Sequence, residues 1–133
     1  METRVLPFSN EAIAEAARLI RAGEPVAVAT ETVYGLAADA TNAAAVARIY
    51  EAKGRPDFNP LIVHVPDLAA ARSIGEFDES ALALAEQHWP GPLTLVVPLR
   101  AEAPIAAIVT AGLPTICASA TPTTSGPLLN PPP

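Results

Sequence analysis

The sequence predicts an α/β domain, and three observations carry that prediction. Apolar residues recur at helical spacing in several segments. Short apolar runs of strand length lie between those segments. Glycine, proline or a short polar side chain marks the junctions.

The elements follow in order. Residues 9–22 form an amphipathic helix: Ser9 or Asn10 can cap its free N–H groups, and Ile13, Ala16, Ala17 and Ile20 make one apolar face. Gly23 ends it by supplying a left-handed residue. Pro25–Thr30 is short and apolar, as a buried strand is, and the polar group Glu31-Thr32-Val33-Tyr34-Gly35 follows directly. Thr41 is placed as the cap of a second helix with Val46, Ile49 and Tyr50 inward, stopped at Lys53-Gly54-Arg55-Pro56. Leu61–Val65 is a second buried strand. Asp67 caps a short alanine-rich helix to about Ile74, and Asp78 caps another to about His88. Trp89-Pro90-Gly91-Pro92 is a rigid turn before a third strand, Leu93–Val97. Ala103–Val109 has the pattern of a short helix, and Thr115–Ala118 begins a fourth strand before the pattern is lost.

The size is that of one domain: 133 residues, with a formal net charge of −6. Half of the residues are apolar, but 28 are alanine and only six are aromatic, so the core is light for its length. Cys117 is the one cysteine and forms no internal disulfide. With no signal-peptide pattern at the N-terminus, a reducing cytoplasm is the expected location. No apolar run approaches the ~20 residues of a membrane span. Two histidines and one cysteine do not make a Cys/His zinc site. Eight basic against fourteen acidic residues argue against a large nucleic-acid footprint. Six of the fifteen prolines fall in Pro114–Pro133, among serines and threonines. The expected organisation is therefore a folded domain over residues 1–118, which the resemblance described below implies is partial, and a Pro/Thr/Ser-rich, disordered tail over 119–133.

The residues capable of chemistry gather near strand ends, where ligands bind in open α/β sheets. Lys53-Gly54-Arg55 contains the only lysine, and two cations so close make a compact anion site; the same pair also suits the end of a helix, where cations are favoured. Glu31–Gly35 is either a functional loop or an ordinary junction with a threonine cap. His64 lies inside an apolar run and reads as a core histidine or as a ligand contact, because its neighbours Ile62 and Val63 do not settle which face it takes. Trp89 reads as packing and Cys117 as inert. No Ser/His/Asp arrangement, paired carboxylates or Walker-type phosphate loop stands out.

Four motifs, in order, resemble one known family. Ala29-Thr30-Glu31-Thr32-Val33-Tyr34-Gly35-Leu36 is similar to its Pro-Thr-Glu-Thr-x-Tyr-Gly-Leu signature, with Ala29 in place of proline. Ile49–Pro56 resembles its Lys-x-Arg segment, and Asn59–Val65 and Trp89–Thr94 complete the match. The family is the YrdC-type threonylcarbamoyl-AMP synthases, and the resemblance covers roughly residues 8–116. It implies a YrdC-like twisted, mostly open sheet flanked by helices. It also implies a reaction: L-threonine, bicarbonate or CO2, and ATP give threonylcarbamoyl-AMP and pyrophosphate. A separate tRNA threonylcarbamoyltransferase then uses the product, so little direct nucleic-acid binding is required. By resemblance, Thr32 and His64 contact L-threonine, Lys53 and Arg55 hold the phosphates and the carboxy-phosphate-like species, and Asn59 and Thr115 contact ATP, with Arg55. Mg2+ is expected with ATP, held mostly by phosphate oxygens and water, with no protein metal site.

The sequence departs from the family pattern after Thr115. The family reads Val-Ala-Val-Arg-x-Pro there, whereas this chain reads Ile116-Cys117-Ala118-Ser119-Ala120, with Ser119 at the arginine position. A later Ser-Ala-Asn-x-Ser-Gly loop has no counterpart. The expectation is a member truncated or frame-shifted at its C-terminus and therefore incomplete in its sheet. The alternative of a different class is a non-catalytic RNA- or ribosome-binding module of the same fold. Only Lys53, Arg55 and Arg48 cluster as cations, which disfavours it. A carbamoyl-transfer domain of the hydrogenase-maturation type lacks its zinc-finger segments here, and the acidic metal signature of dihydroxybutanone phosphate synthases is not visible.

Overall fold

The computed structural model of the chain describes residues 4–29, 34–54 and 60–120. Helix α1, Asn10–Arg21, starts where Ser9 Oγ accepts from the Ala12 N–H at 3.0 Å. It turns Ala16 and Ile20 into the interior and ends at Gly23, whose φ of 88° only glycine adopts readily. Strand β1, Val26–Ala29, follows and pairs antiparallel with β2, Tyr34–Ala37. These two strands form a sheet of their own, with Val26 opposite Ala37 and Ala29 opposite Tyr34. The expected buried strand is thus one half of a hairpin, with Ala27 exposed and Val28 buried, and Tyr34-Gly35 belongs to a strand rather than to a loop.

Helix α2, Ala43–Lys53, is capped by Asn42, not by Thr41. The Asn42 side chain accepts from the Ala45 N–H, while the Thr41 hydroxyl and backbone N–H both donate to Asp39 Oδ1 at 2.6 and 2.9 Å. An aspartate two residues earlier engages Thr41 and passes the capping role to the next short polar residue. Val46, Ile49 and Tyr50 are buried as expected, and Gly54 closes the helix at a φ of 60°. Asp67 and Asp78 cap α3, Leu68–Ile74, and α4, Glu79–His88, each accepting from the N–H three residues on.

The second sheet contains β3, Ile62–Val65; β4, Thr94–Pro98; and β5, Thr115–Ala120, in the order β3-β5-β4. β5 runs parallel to β3 and antiparallel to β4. It continues through Ser119 and Ala120, both buried, two residues beyond the point where the sequence pattern is lost at Ala118. Residues 121–133, the rest of the expected tail, lie outside the described residues. The helix expected over 103–109 is shorter and tighter: a 3-10 turn at Ala107–Thr110, with no side-chain cap, closed by Ala111 at a φ of 54°. Pro104 brings no N–H to an earlier helical ladder, and Ala106 is extended.

The three-stranded sheet has two unlike faces. Val63, Val65, Val97, Ile116 and Ala120 point into the core with Val46, Ile74 and Val109. Each fully buried Ile or Val contributes about 1.5–3 kcal/mol by leaving water. On the opposite face Ile62 and Val96 are 48% and 62% exposed. The strands expected to be buried on both faces are therefore buried on one, as in mixed or antiparallel sheets. No helix among the described residues is long and apolar enough to cross a membrane.

Two expected outcomes test this packing. Gly75 is buried between α3 and β4, and a β-carbon there would lie 2.5 Å from Val97 Cγ2. Gly75→Ala should destabilise the fold by about 1–3 kcal/mol in urea unfolding, because the core must shift to admit the methyl. Glu15 accepts from the Arg18 and Arg4 side chains, and these hydrogen bonds hold its carboxyl down at about 2. A carboxylate with a lowered native pKa stabilises the fold above its ordinary pKa of 4.5 and loses that contribution as pH falls towards about 2. Glu15→Gln should remove this part of the acid dependence in a pH titration of helical circular dichroism. Added salt should weaken it, since the pair is at the surface.

Candidate active site

The site is assembled at one end of the open sheet face. In β3, Ile62 and His64 alternate with the core residues Val63 and Val65, so His64 takes the open face. In β5 the same alternation places Thr115, Cys117 and Ser119 on that face and Ile116, Ala118 and Ala120 in the core. Register then aligns the strands: His64 lies opposite Ser119, and Ser119 lies opposite Thr94. These three residues form a polar row at the carboxyl ends of the parallel strands β3 and β5, the end at which open α/β sheets bind ligands. The next row, Ile62, Cys117 and Val96, is less polar.

His64 Nδ1 is 3.2 Å from the carbonyl oxygen of Ile62, within hydrogen-bond distance. The register places the half-buried His64 ring on the face opposite the core residues Val63 and Val65. Thr115 shares this face but sits at the opposite end of β5, four residues from Ser119, or about 13 Å along the strand. Lys53 is the exposed last residue of α2 and makes no ion pair among the described residues. Thr32, Arg55 and Asn59 lie outside the described residues, as do Glu31 and Thr30. Of the expected site residues, the structure therefore brings His64 and Thr115 to one sheet face and sets Lys53 at a helix end. Of the signature motif, Ala29 and Tyr34–Leu36 lie in the antiparallel pair β1 and β2 rather than in a parallel strand, and residues 30–33 lie outside the described residues.

Two members of the polar row escaped the sequence reading. Thr94 stands in the sequence only within the third strand and at the end of a family motif, and Ser119 only as a departure from the family pattern. Alternation within single strands would have suggested their faces, but only the pairing of β5 with both neighbours puts them beside His64.

The turn before Thr94 is tied down from several sides. The Leu93 carbonyl oxygen accepts from Trp89 Nε1–H at 2.7 Å and from the Ser119 hydroxyl at 3.2 Å. The Gly91 N–H donates to the Ala120 carbonyl at 3.1 Å, and Trp89 packs edge-on against Phe77 with ring centroids 6.0 Å apart. Trp89 thus does more than fill space: its indole N–H and its ring join α4, the turn and the sheet.

The comparisons agree with this architecture. A family model for Sua5, YciO and YrdC, described as telomere recombination, matches residues 18–125, and the chain belongs to this family. A threonylcarbamoyl-AMP synthase of Bacillus subtilis is 49% identical over 115 residues, which is 86% of this chain and 33% of that protein. The crystal structure of Pyrococcus abyssi Sua5 complexed with L-threonine superposes with a TM-score of 0.79 at 43% identity, over 90% of this chain and 34% of that one. Escherichia coli YciO shares the fold, with a TM-score of 0.72 at 20% identity over 84% of this chain and 54% of that one. The chain spans about a third of the length of the B. subtilis and P. abyssi relatives. The family match continues beyond the expected limit of residue 116, through all of β5.

Trp89→Phe keeps the ring and removes the N–H donor to Leu93. It should cost about 0.5–1.5 kcal/mol in chemical denaturation, the usual net worth of one such hydrogen bond.

Proposed function

We propose that the chain acts in the synthesis of threonylcarbamoyl-AMP from L-threonine, bicarbonate or CO2, and ATP, as a nucleotidyltransferase of the cytoplasm. The observation that carries this reading is the polar row around His64 at the carboxyl ends of β3 and β5. It lies in a chain 43% identical to a Sua5 crystallised with L-threonine. In this reading Thr32 and His64 contact the amino acid, and Asn59, Arg55 and Thr115 contact ATP. Lys53 and Arg55 hold the phosphates.

The chemistry needs few protein groups. The neutral amine of threonine adds to CO2 and releases a proton to give a carbamate, whose oxygen attacks the α-phosphorus of ATP and expels pyrophosphate. Negative charge is carried across the phosphates throughout, and two cations stabilise it where it develops. The guanidinium of Arg55 offers a planar fork for phosphate oxygens, and Lys53 a compact charge. Mg2+ enters with the nucleotide, bound by phosphate oxygens and water; the described residues contain no group of three His, Cys, Asp or Glu side chains arranged to hold a cation. The product is a small, activated intermediate, passed to a tRNA threonylcarbamoyltransferase. An acidic protein with a net charge of −6 suits that division of labour, because the chain need not itself grip tRNA.

The test is pyrophosphate release from ATP by the folded protein, with and without L-threonine and bicarbonate. Threonine-dependent release is the expected outcome, and its absence in protein that is folded by circular dichroism refutes the reading. Lys53→Ala and Arg55→Ala should each lower that release by about 100-fold or more, the scale seen when a charge-stabilising group is removed. Activity that survives both changes would refute the roles given to these residues.

A further inference from the structure

We infer that Thr94 is a further substrate-contacting residue, its hydroxyl holding the polar end of the amino acid opposite to the end held by His64. The inference rests on the reading of the open face as an amino-acid site. Three features of the structure lead to it. Thr94 is exposed and shares the row His64–Ser119–Thr94, so its side chain leaves the sheet on the same face as His64. Between them, the Ser119 hydroxyl donates to Leu93 and is buried, whereas the Thr94 side chain at the end of the row is exposed. Two strand spacings separate the backbones at His64 and Thr94, about 9.5 Å. Side chains of one row leave the sheet roughly parallel, so their polar tips keep about that separation, and a bound amino acid of roughly 4 Å between its polar ends, with a hydrogen bond of about 2.8 Å at each, reaches from one to the other.

Position matters as much as chemistry. Thr94 follows directly on Leu93, whose carbonyl is held by both Trp89 and Ser119, and the turn is fastened to β5 through Gly91 and Ala120. A side chain at the first residue of β4 is therefore presented from backbone fixed on both sides, the property a binding group needs. The Trp-Pro-Gly-Pro turn, on this view, serves to set the place of Thr94 against β5.

The experiment is calorimetric titration of the full chain with L-threonine, comparing wild type with Thr94→Val, Thr94→Ser and His64→Ala. Valine keeps the branched shape suited to a strand and removes the hydroxyl, and serine keeps the hydroxyl. Expected is an affinity about fivefold to tenfold weaker in Thr94→Val, the loss of one hydrogen bond, with recovery in Thr94→Ser. If Thr94→Val binds L-threonine as wild type does while His64→Ala weakens binding, the inference is overturned and the proposed function stands. If Thr94→Ser is as weak as Thr94→Val, the hydroxyl is not the contact and the inference is again overturned. If folded wild-type protein binds no L-threonine at millimolar concentration, both fall together.

Discussion

β5 is the last described strand in the chain and the middle strand in space, hydrogen-bonded to β3 on one side and to β4 on the other. The placement of every residue on the open face depends on this double pairing. Because side chains alternate with a period of two, a slip of one residue in β5 would send Ile116 and Ala118 to the open face and Ser119 into the core. The apolar set holds the register: Ile116 and Ala118 are 1% and 0% exposed, beneath a cluster that includes Val63, Val97 and Val109. The site is thus aligned as a consequence of burying the other face of the same strand.

The abundance of alanine has a structural counterpart. Ala45, Ala71, Ala85, Ala118 and Ala120 are all essentially buried. Small residues let helices and strands approach closely, at the cost of less apolar area removed from water per residue. The large groups sit at junctions instead. Tyr50 spans from α2 to the 3-10 turn, with its hydroxyl donating to Ile108 at 3.3 Å, and Trp89 ties α4 and the turn to β4. Hydrogen bonds of this kind, from a buried or half-buried ring to a specific carbonyl, add direction to a core that has little bulk.

Much of the fold was legible in the amino-acid order because its signals are local. Ser9, Asp67 and Asp78 cap the helices expected of them, and Gly23 and Gly54 end two helices in left-handed conformations. Capping needs only a short polar side chain and the next three residues, all within one segment. The misplaced cap at Thr41 shows the limit, since Asp39 competes for the same hydroxyl. β2 was not legible: Tyr34-Gly35-Leu36-Ala37 is four residues long, contains a glycine and is stabilised by pairing with β1 rather than by its own pattern. For the candidate site, residue types and motif order pointed to His64 and Thr115, yet neither the face of His64 nor the company of Thr94 and Ser119 could be read along the chain.

By itself, the sequence determined the alternation of helices and strands, the principal caps and stops, and membership of the Sua5/YciO/YrdC family, which follows from four motifs in fixed order. Each of these depends on residues near one another in the chain or on their linear sequence. Only the tertiary structure decided that β1 and β2 form a separate hairpin, that β5 lies between β3 and β4, and that His64, Ser119 and Thr94 share a row. The physical reason is that strand pairing joins residues as far apart as 64 and 119. Which partner and which register prevail is settled by hydrogen bonding and burial across the whole sheet, and no single segment carries that information.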